Sequence, residues 1–267
     1  MQNWREENLQ EADGIIVGAN QDFERFLPWW WHQYSFHNAY PVTFVDFGMS
    51  ERARLWCALR GEVRILNLPE NFVAPIQAVD PTLLLLWKKM YKDNGWNSRR
   101  EWFKKPFALL QTPYARTIWI DLDCEVRGDL SPLFSLCDSL GGIAVTPLNQ
   151  DSQQKLLECH LRLPEEQIYS SGVIVYRRHI PPINEWAERS FHENVEFFGD
   201  QDILSRVLYE RKTVVSPLPD SYHDTATNDP KNVIIQHWGG KEGKQHILKM
   251  IQKMSASFPD LRELLLD

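Results

Sequence analysis

The chain has 267 residues and a formal net charge of −7. This acidic balance lacks the excess of lysine and arginine that a protein needs to neutralise the phosphates of duplex nucleic acid. Hydrophobic residues make up 43% of the chain and charged residues 24%, which is ordinary for a globular protein with a substantial core. We therefore expect a globular protein with no nucleic-acid partner.

The cysteines and the apolar runs indicate the cellular compartment of the protein. The four cysteines form no C-x-x-C pair and no zinc spacing, which is typical of reduced thiols. Residues 1–13 are polar and acidic, and no run approaches the roughly 20 apolar residues that cross a bilayer. These features predict a cytoplasmic protein without a transmembrane segment. An apolar patch at residues 27–31 has two interpretations, which are peripheral contact with a membrane and packing into the core.

In the first half of the chain, short apolar runs alternate with segments of helical periodicity. A continuous apolar run bounded by turn residues is typical of a buried strand, and apolar residues at three- and four-residue spacing are typical of an amphipathic helix. Ser50 is predicted to cap a helix start. The patterns predict strands at residues 14–18, 41–47, 63–66 and 117–121, and helices at residues 22–37, 50–59, 81–91 and 100–110.

The second half adds further strands and helices, without the regular alternation of the first half. Strands that alternate with helices favour a mainly parallel central sheet flanked by helices, with ligands beyond the carboxyl ends of the strands. No repeat, low-complexity tract or linker divides residues 1–267, so we predict a single Rossmann-like α/β domain. The patterns predict strands at residues 142–145, 172–176, 213–215 and 233–235, and helices at residues 183–194, 202–209 and 241–253.

Two carboxylates follow one of these buried strands. Asp121 and Asp123 end the apolar run 118–120, and the two-residue period of a strand would place both on one side. Like charges at the mouth of a buried strand repel each other unless a cation neutralises both, and Mg²⁺ and Mn²⁺ prefer such oxygen ligands. The pair predicts a metal site that also binds substrate phosphates. A solvated loop in which an aspartate caps a helix is the alternative.

Five further segments accompany the acid pair in a fixed order. With that pair they resemble the ordered motifs of glycosyltransferase family 8, the group of glycogenin and the bacterial lipooligosaccharide galactosyltransferases. The resemblance implies a single GT-A domain, with a nucleotide-binding half at about 13–125 and a half for sugar and acceptor at about 126–267. The segments are residues 18–23, 46–51, 170–173, 199–202 and 237–240.

The activity implied by the resemblance is that of a metal-dependent hexosyltransferase. It would move a hexose from a nucleotide sugar, UDP-glucose or UDP-galactose, to a glycan, a lipid-linked sugar or a protein, with retention of the anomeric configuration. The resemblance adds His237 to Asp121 and Asp123 as the third protein ligand of the metal. Imidazole beside two carboxylates suits Mn²⁺ better than Mg²⁺.

Several segments are expected to contact the donor. The resemblance places Phe23 against the base and Asn20 and Asp22 at base or ribose edges; core packing of Phe23 and helix capping by the two polar residues are the alternatives. Gly240 would let the backbone approach the phosphates. The other residues that the resemblance places at the donor are Gly18, Ala19, Lys105, Leu122, Ser171, Gly172, Lys241 and Lys244.

The chain departs from the family pattern at two positions. Ser170 stands where the family has asparagine. The family's lysine, six positions after the histidine, is replaced by Gly243. Lys241 and Lys244 lie on either side of this glycine, and both are candidates for contact with the diphosphate.

The family also has a basic residue ahead of the acid pair. The spacing to the acid pair selects Lys104. The helical context selects Lys105, because Pro106 follows it directly. We predict Lys105.

Asp200 and Gln201 are the candidates for the group beside the anomeric carbon. Glycosyl transfer passes through an oxocarbenium-like state, which a nearby carboxylate or amide oxygen stabilises. Either residue can supply that oxygen, and Asp200 is also placed to cap the helix that follows.

Two other classes of protein share some of these features. A sugar nucleotidyltransferase would share the metal chemistry, but it is expected to carry a glycine-rich loop followed by a basic residue after the first strand, which residues 18–20 lack. A non-catalytic module that binds nucleotide sugars is favoured by the eleven tryptophans, because indole rings stack on sugars. Such a module would not need Asp121, Asp123 and Asp200 together.

Overall fold

The computed structural model describes residues 10–92, 96–223, 232–255 and Leu264. The strands in these residues are β1 Gln10–Ala19, β2 Val42–Asp46, β3 Glu62–Ile65, β4 Tyr114–Ile120, β5 Cys124–Val126, β6 Ile143–Pro147, β7 Tyr169–Arg177, β8 Ser216–Pro217 and β9 Ile235–His237. The α-helices are α1 Leu27–His37, α2 Glu51–Ala58, α3 Pro81–Tyr91, α4 Arg99–Trp102, α5 Lys105–Leu109, α6 Ser131–Phe134, α7 Gln150–Glu158, α8 Pro181–His192, α9 Asp200–Glu210 and α10 Gly240–Met254.

A seven-stranded sheet forms the centre of the molecule, in the order β3-β2-β1-β4-β7-β6-β8. The neighbours β3, β2, β1 and β4 are parallel, and β8 is parallel to β6. Strand β7 is antiparallel to both β4 and β6, so it is the one reversed strand of this sheet. The predicted mainly parallel α/β sheet is confirmed.

Consecutive residues of the central strands belong to different cores, which explains why the strands read as unbroken apolar runs. Ile15 and Ile118 pack into one core together with residues of α1 and α10. Ile16 and Trp119 pack into the other core with residues of α8 and α9. Ile15, Ile16 and Ile118 are fully buried, since helices cover both faces of the sheet.

The apolar patch at residues 27–31 lies at the start of α1. Leu27, Trp29 and Trp30 are each 0% exposed, so core packing is the correct interpretation and the membrane interpretation is wrong for these side chains. Seven of the ten tryptophans within the described residues are buried. None of the described helices is long and apolar enough to cross a membrane.

Two predicted helices differ from the observed ones in where a helix begins, and a proline lies near the start of each observed helix. The helix predicted at 100–110 is divided into α4 and α5, and Pro106 lies in the first turn of α5, where its missing N–H costs no hydrogen bond. The helix predicted from residue 22 begins with a 3₁₀ turn, Glu24–Phe26, and α1 follows with Pro28 near its start. Ser50 caps α2 as predicted, accepting a hydrogen bond from the Ala53 amide at 3.1 Å.

Two predicted strands near the carboxyl end are displaced. Residues 213–215 are irregular, and the strand is the next pair, β8, which lies against β6. β9 begins at Ile235 rather than at residue 233, and it pairs with β5 outside the main sheet. β-branched residues show where a strand is favoured, but the available partner decides which residues pair.

Candidate active site at the carboxyl ends of the strands

Parallel strands β1 and β2 end beside each other and open a turn at the edge of the sheet. The Phe47 amide donates to the Ala19 carbonyl at 2.8 Å, and the Gln21 amide donates to the Gly48 carbonyl at 3.0 Å. Asn20 Oδ1 accepts from the Phe23 amide at 3.1 Å, so the Asn20 side chain closes the turn that precedes the 3₁₀ segment Glu24–Phe26. Phe23 is the last residue of this turn.

The acid pair lies in a turn rather than on a strand. β4 ends at Ile120, the Asp121 amide donates to the Gly172 carbonyl at 2.9 Å, and the Cys124 amide closes the turn by donating to the Asp121 carbonyl at 3.0 Å. The prediction that the two-residue period of a strand places both carboxylates on one side is therefore wrong, because Asp123 is not in a strand. Both carboxylates reach the same cavity, but they have different partners.

Asp121 is held by a buried cation. Lys105 Nζ lies 3.0 Å from Asp121 Oδ1 and 3.6 Å from Asp200 Oδ2, and Trp119 Nε1 donates to Asp121 Oδ1 at 2.6 Å. Ser171 Oγ accepts from Lys105 at 3.0 Å and donates to Asp200 at 2.8 Å. These contacts join β4, β7, α5 and α9 around one ammonium group.

Burial and charge act in opposite directions in this cluster. Burial raises the pKa of Asp121 above its usual value, and Lys105 opposes this rise. For Lys105, burial acts to lower the pKa, but Asp121 and Asp200 outweigh it and raise the pKa. Lys105 is therefore a permanent cation at this edge of the sheet.

Asp123 is paired with an imidazole instead. His237 Nε2 lies 3.2 Å from Asp123 Oδ1, because β9 pairs antiparallel with β5 and sets His237 opposite Cys124. Burial opposes the charged form of each partner. The attraction between the two nevertheless lowers the pKa of Asp123 and raises the pKa of His237.

Behind His237 lies a second imidazole. His223 Nε2 is 3.0 Å from His237 Nδ1. Burial, together with the charge of His237, lowers the pKa of His223 to about 3, so His223 is neutral at physiological pH. A Cβ at Gly172 would lie 2.7 Å from His237 Cε1 and 3.0 Å from His223 Nε2, and only glycine leaves room for both rings.

The donor atoms beside β9 fit a divalent metal ion. Asp123, Cys124 and His237 each offer one ligand atom, and these atoms lie within 4.8 Å of one another. Carboxylate and imidazole donors suit Mn²⁺. The Cys124 thiol is a weak donor in this group, since burial raises its pKa well above its usual value. The Asp121 carboxylate stands apart from this group, on the Lys105 side.

Two cavities meet at the acid pair. The first has a volume of about 110 Å³ and includes Phe23 and Trp119 in its wall, and the second has a volume of about 300 Å³ and includes Asp200 and Gln201. The residues common to both walls are Trp102, Lys105, Asp121, Asp123 and Lys244.

The remaining donor-site candidates divide between these cavities. Asp22 and Lys241 are exposed and lie outside both linings. The first cavity is lined by Gly18, Ala19, Asn20 and Leu122. The second is lined by Ser171, Gly172, Gly240 and His237.

The structure separates the two pairs of candidate lysines. Lys244 Nζ lies 4.5 Å from the centroid of the Phe23 ring, whereas Lys241 is exposed and lines neither cavity. Position 243 cannot hold a side chain, because a Cβ there would lie 2.1 Å from the Trp238 carbonyl oxygen. Lys104 bonds outside the acid cluster, to Glu101 and to the Phe47 carbonyl, so the cluster cation is Lys105.

Three residues at three-residue spacing hold the segment before α9 in place, and the sequence patterns did not predict this grouping. Arg99 is 1% exposed and donates to the carbonyls of Phe197 and Phe198, both at 2.9 Å. Trp102 packs on the Phe198 ring with centroids 5.9 Å apart, and Lys105 reaches Asp200. The only sequence feature that could have predicted this group is the spacing of Arg99, Trp102 and Lys105 at i, i+3 and i+6.

Three other site residues were missed. Trp119 is in β4, two positions before Asp121, so its place next to the acid pair could have been predicted from the sequence. Tyr91 stacks on Phe198 with centroids 3.9 Å apart and lines the second cavity. His223 has no motif around it, so no local signal could have found it.

Solved structures share this architecture. The galactosyltransferase LgtC in complex with donor and acceptor sugar analogs aligns with a TM-score of 0.56 and 15% identity, over 92% of this chain and 96% of that one. Mouse xyloside xylosyltransferase 1 aligns with a TM-score of 0.51 and 14% identity, over 85% and 97%. The chain has the GT-A glycosyltransferase fold.

The bifunctional glycosyltransferase WbbM shares the GT-A fold over part of its length. It aligns with a TM-score of 0.57 and 13% identity, over 95% of this chain and 51% of that one. No family model matches the sequence, and no curated protein matches it. Identities of 13–15% establish a shared fold, and the chemistry of this chain has to be argued from its own site.

Proposed function

We propose that this chain is a glycosyltransferase that depends on Mn²⁺ or Mg²⁺. It moves a hexose from UDP-glucose or UDP-galactose to a glycan, a lipid-linked sugar or a protein, with retention of configuration. The half at about 13–125 binds the nucleotide and the half at about 126–267 acts on sugar and acceptor. The four free, buried cysteines support a reducing, cytoplasmic location.

The observation that carries the proposal is the meeting of two cavities at the acid pair. A nucleotide sugar has a flat base at one end, a sugar at the other and a diphosphate between them. The first cavity offers the aromatic ring of Phe23 for the base, and the second offers Asp200 and Gln201 for the sugar. Lys105 and Lys244 stand where the cavities join, which is where the diphosphate would lie.

The site's own residues suit departure of a nucleoside diphosphate. Lys244 lines both cavities and supplies a positive charge to the leaving group. Asp200 and Gln201 supply oxygen atoms beside the sugar, where positive charge develops as the glycosidic bond breaks. A divalent ion held by Asp123 and His237, with Asp121 in the same cavity wall, would neutralise further charge on the diphosphate.

Release of UDP from a panel of UDP-sugars tests the proposal. Water often replaces the acceptor slowly in such enzymes, so hydrolysis provides an assay before the acceptor is known. Asp200→Asn and Gln201→Ala should leave the donor Kd within a few-fold and cut turnover by about 10²-fold, because the charge that they stabilise appears only in the transition state. NMR of the first-formed product reports the anomeric configuration.

The same assay separates the alternative classes. A chain that binds a donor tightly and never releases UDP with any acceptor would be a binding module. Formation of a nucleotide sugar from UTP and a sugar phosphate would identify a nucleotidyltransferase. Turnover that is equal in wild type and in both variants would remove Asp200 and Gln201 from the reaction.

A further inference from the structure

His223 is a buried side chain that the proposed reaction does not use. It is 3% exposed, and its ring lies nearly parallel to the plane of the His237 ring, with centroids 5.2 Å apart and an interplanar angle of 21°. Its Nε2 lies 3.0 Å from His237 Nδ1. Its Nδ1 has no hydrogen-bond partner among the described residues. The contact with His237 is therefore the polar contact that accounts for this ring's placement.

Three separate parts of the chain build this imidazole pair. His237 comes from β9, His223 follows the 3₁₀ turn Asp220–Tyr222, and Gly172 of β7 leaves the space in which the rings meet. Backbone bonds hold two of these parts together, since the Ile234 amide donates to the Ser221 carbonyl at 2.6 Å. The pairing is thus set by the fold and not by a flexible surface contact.

The two nitrogens of His237 face different groups. Nε2 lies 3.2 Å from Asp123 Oδ1, on the side where the metal would be held, and Nδ1 faces His223. A nitrogen that binds a metal must offer a lone pair, so the ring proton then belongs on Nδ1. His223 Nε2, 3.0 Å away, is within reach to accept that proton, and His223 then carries its own proton on Nδ1, which has no partner among the described residues.

We propose that His223 is a positioning residue that accepts the Nδ1 proton of His237 and so keeps Nε2 of His237 turned toward Asp123 and the metal. In metal sites, partners of this kind fix the tautomer and the orientation of the ligand ring. An imidazole does this without adding another negative charge beside Asp121 and Asp123. The inference rests on the metal site of the proposed function.

Titration of Mn²⁺ into the full chain with saturating UDP, followed by electron paramagnetic resonance, measures the effect. His223→Leu removes the acceptor with a side chain of similar size and should weaken Mn²⁺ binding by about 10–100-fold, the usual range for such partners. His223→Gln retains an amide oxygen that can accept the proton and should stay within about threefold of wild type. Affinity for UDP without metal should be unchanged in both variants.

The tautomer of His237 gives a second measurement that does not depend on a variant. Nitrogen-15 NMR of the wild type with Mg²⁺ and UDP should show the proton of His237 on Nδ1. A proton on Nε2 in that complex would overturn the inference, even if His223→Leu failed to fold.

The outcomes distinguish this inference from the proposed function. Wild-type Mn²⁺ affinity in His223→Leu would overturn the role of His223 and leave the metal site standing. A wild type that binds UDP but no divalent ion would overturn the metal site, and the inference with it. Equal weakening in His223→Leu and His223→Gln would indicate a packing role and contradict acceptance of the proton.

Discussion

The carboxylates of Asp121 and Asp123 are two residues apart in the chain, yet they lie in different electrostatic surroundings. Asp121 faces Lys105, whose Nζ is 3.0 Å away, and receives a hydrogen bond from Trp119. Asp123 faces His237 at 3.2 Å. The first carboxylate is neutralised by a group that keeps its proton, and the second by a group that can release one.

This difference indicates that the two carboxylates of the acid pair have different roles. A lysine ammonium cannot bind a metal ion while it is protonated, whereas an imidazole becomes a ligand when it loses its proton. The Asp123 side is thus the side that can exchange a proton for a divalent cation. On the other side, Lys105 holds Asp121 and Asp200 in place whether or not a metal is bound.

The largest expected effect comes from removing the fixed cation. Lys105→Met leaves the buried Asp200 and the partly exposed Asp121 without their cation, and the cost of breaking a buried ion pair, about 3–5 kcal/mol of the free energy of unfolding, is the upper limit of the expected loss. Urea denaturation measures this loss. The adjacent Lys104→Met is the matched control and should cost about 1 kcal/mol, since it removes a partly exposed ion pair and one hydrogen bond. Similar losses in both variants would contradict the role of Lys105.

Asp202, two residues after Asp200, is a buried carboxylate for which burial outweighs the attraction of its cation, Arg99. Burial raises its pKa to about 7. Between about pH 4 and pH 7 the unfolded carboxyl is ionised while the folded one stays protonated, so stability falls as the pH rises through this range. Asp202→Asn should remove the fall and keep the acceptor that bonds the Gly199 amide at 2.9 Å.

The Asp202→Asn and wild-type stability curves should therefore diverge with rising pH. The difference should reach at most about 4 kcal/mol above pH 7, because one pKa unit is worth about 1.4 kcal/mol. Denaturation at several pH values measures it. Asp151→Asn, at an exposed position in the first turn of α7, is the control and should run parallel to wild type. Parallel curves for Asp202→Asn would disprove the raised pKa.

The next largest effect is expected from removing the charge of Asp123, the carboxylate on the metal side of the acid pair. Asp123→Asn removes a charged donor from the candidate metal site and should lower turnover by about 10²–10³-fold, the scale for loss of a group that stabilises charge in the transition state. It should also abolish the difference in UDP affinity measured by calorimetry with and without Mn²⁺. Asp129→Asn, at an exposed position, is the control. Wild-type Mn²⁺ dependence in Asp123→Asn would contradict the metal assignment.

The smallest expected effect lies away from both acids, at the base. Phe23→Ala should weaken UDP binding by about 1–3 kcal/mol, the usual contribution of an aromatic ring that stacks on a base. The fold should survive, because the Phe23 ring is only partly buried. Phe36→Ala on α1, where the ring is 77% exposed, is the control. Unfolding without loss of affinity in the folded fraction would make Phe23 a core residue.

The amino-acid sequence by itself determined the central strands of the sheet and the edge at which the candidate site residues gather. Continuous apolar runs such as 118–120 are what a strand buried on both faces requires, and they predicted where β1, β2, β4, β6 and β7 lie. Because parallel strands end at one edge, the polar residues after those runs meet there. Even the choice of Lys105 over Lys104 followed from local sequence, through the position of Pro106 in a helix.

Only the tertiary structure decided which partner each polar group has. The pairing of Asp121 with Lys105 and of Asp123 with His237 joins residues that are 16 and 114 positions apart, and no local pattern encodes such distances. His223 illustrates the same limit, since its role depends on the space that Gly172 leaves beneath it. Local propensity decides where elements form, whereas the electrostatic surroundings of a buried group are set by whatever the packed elements bring against it.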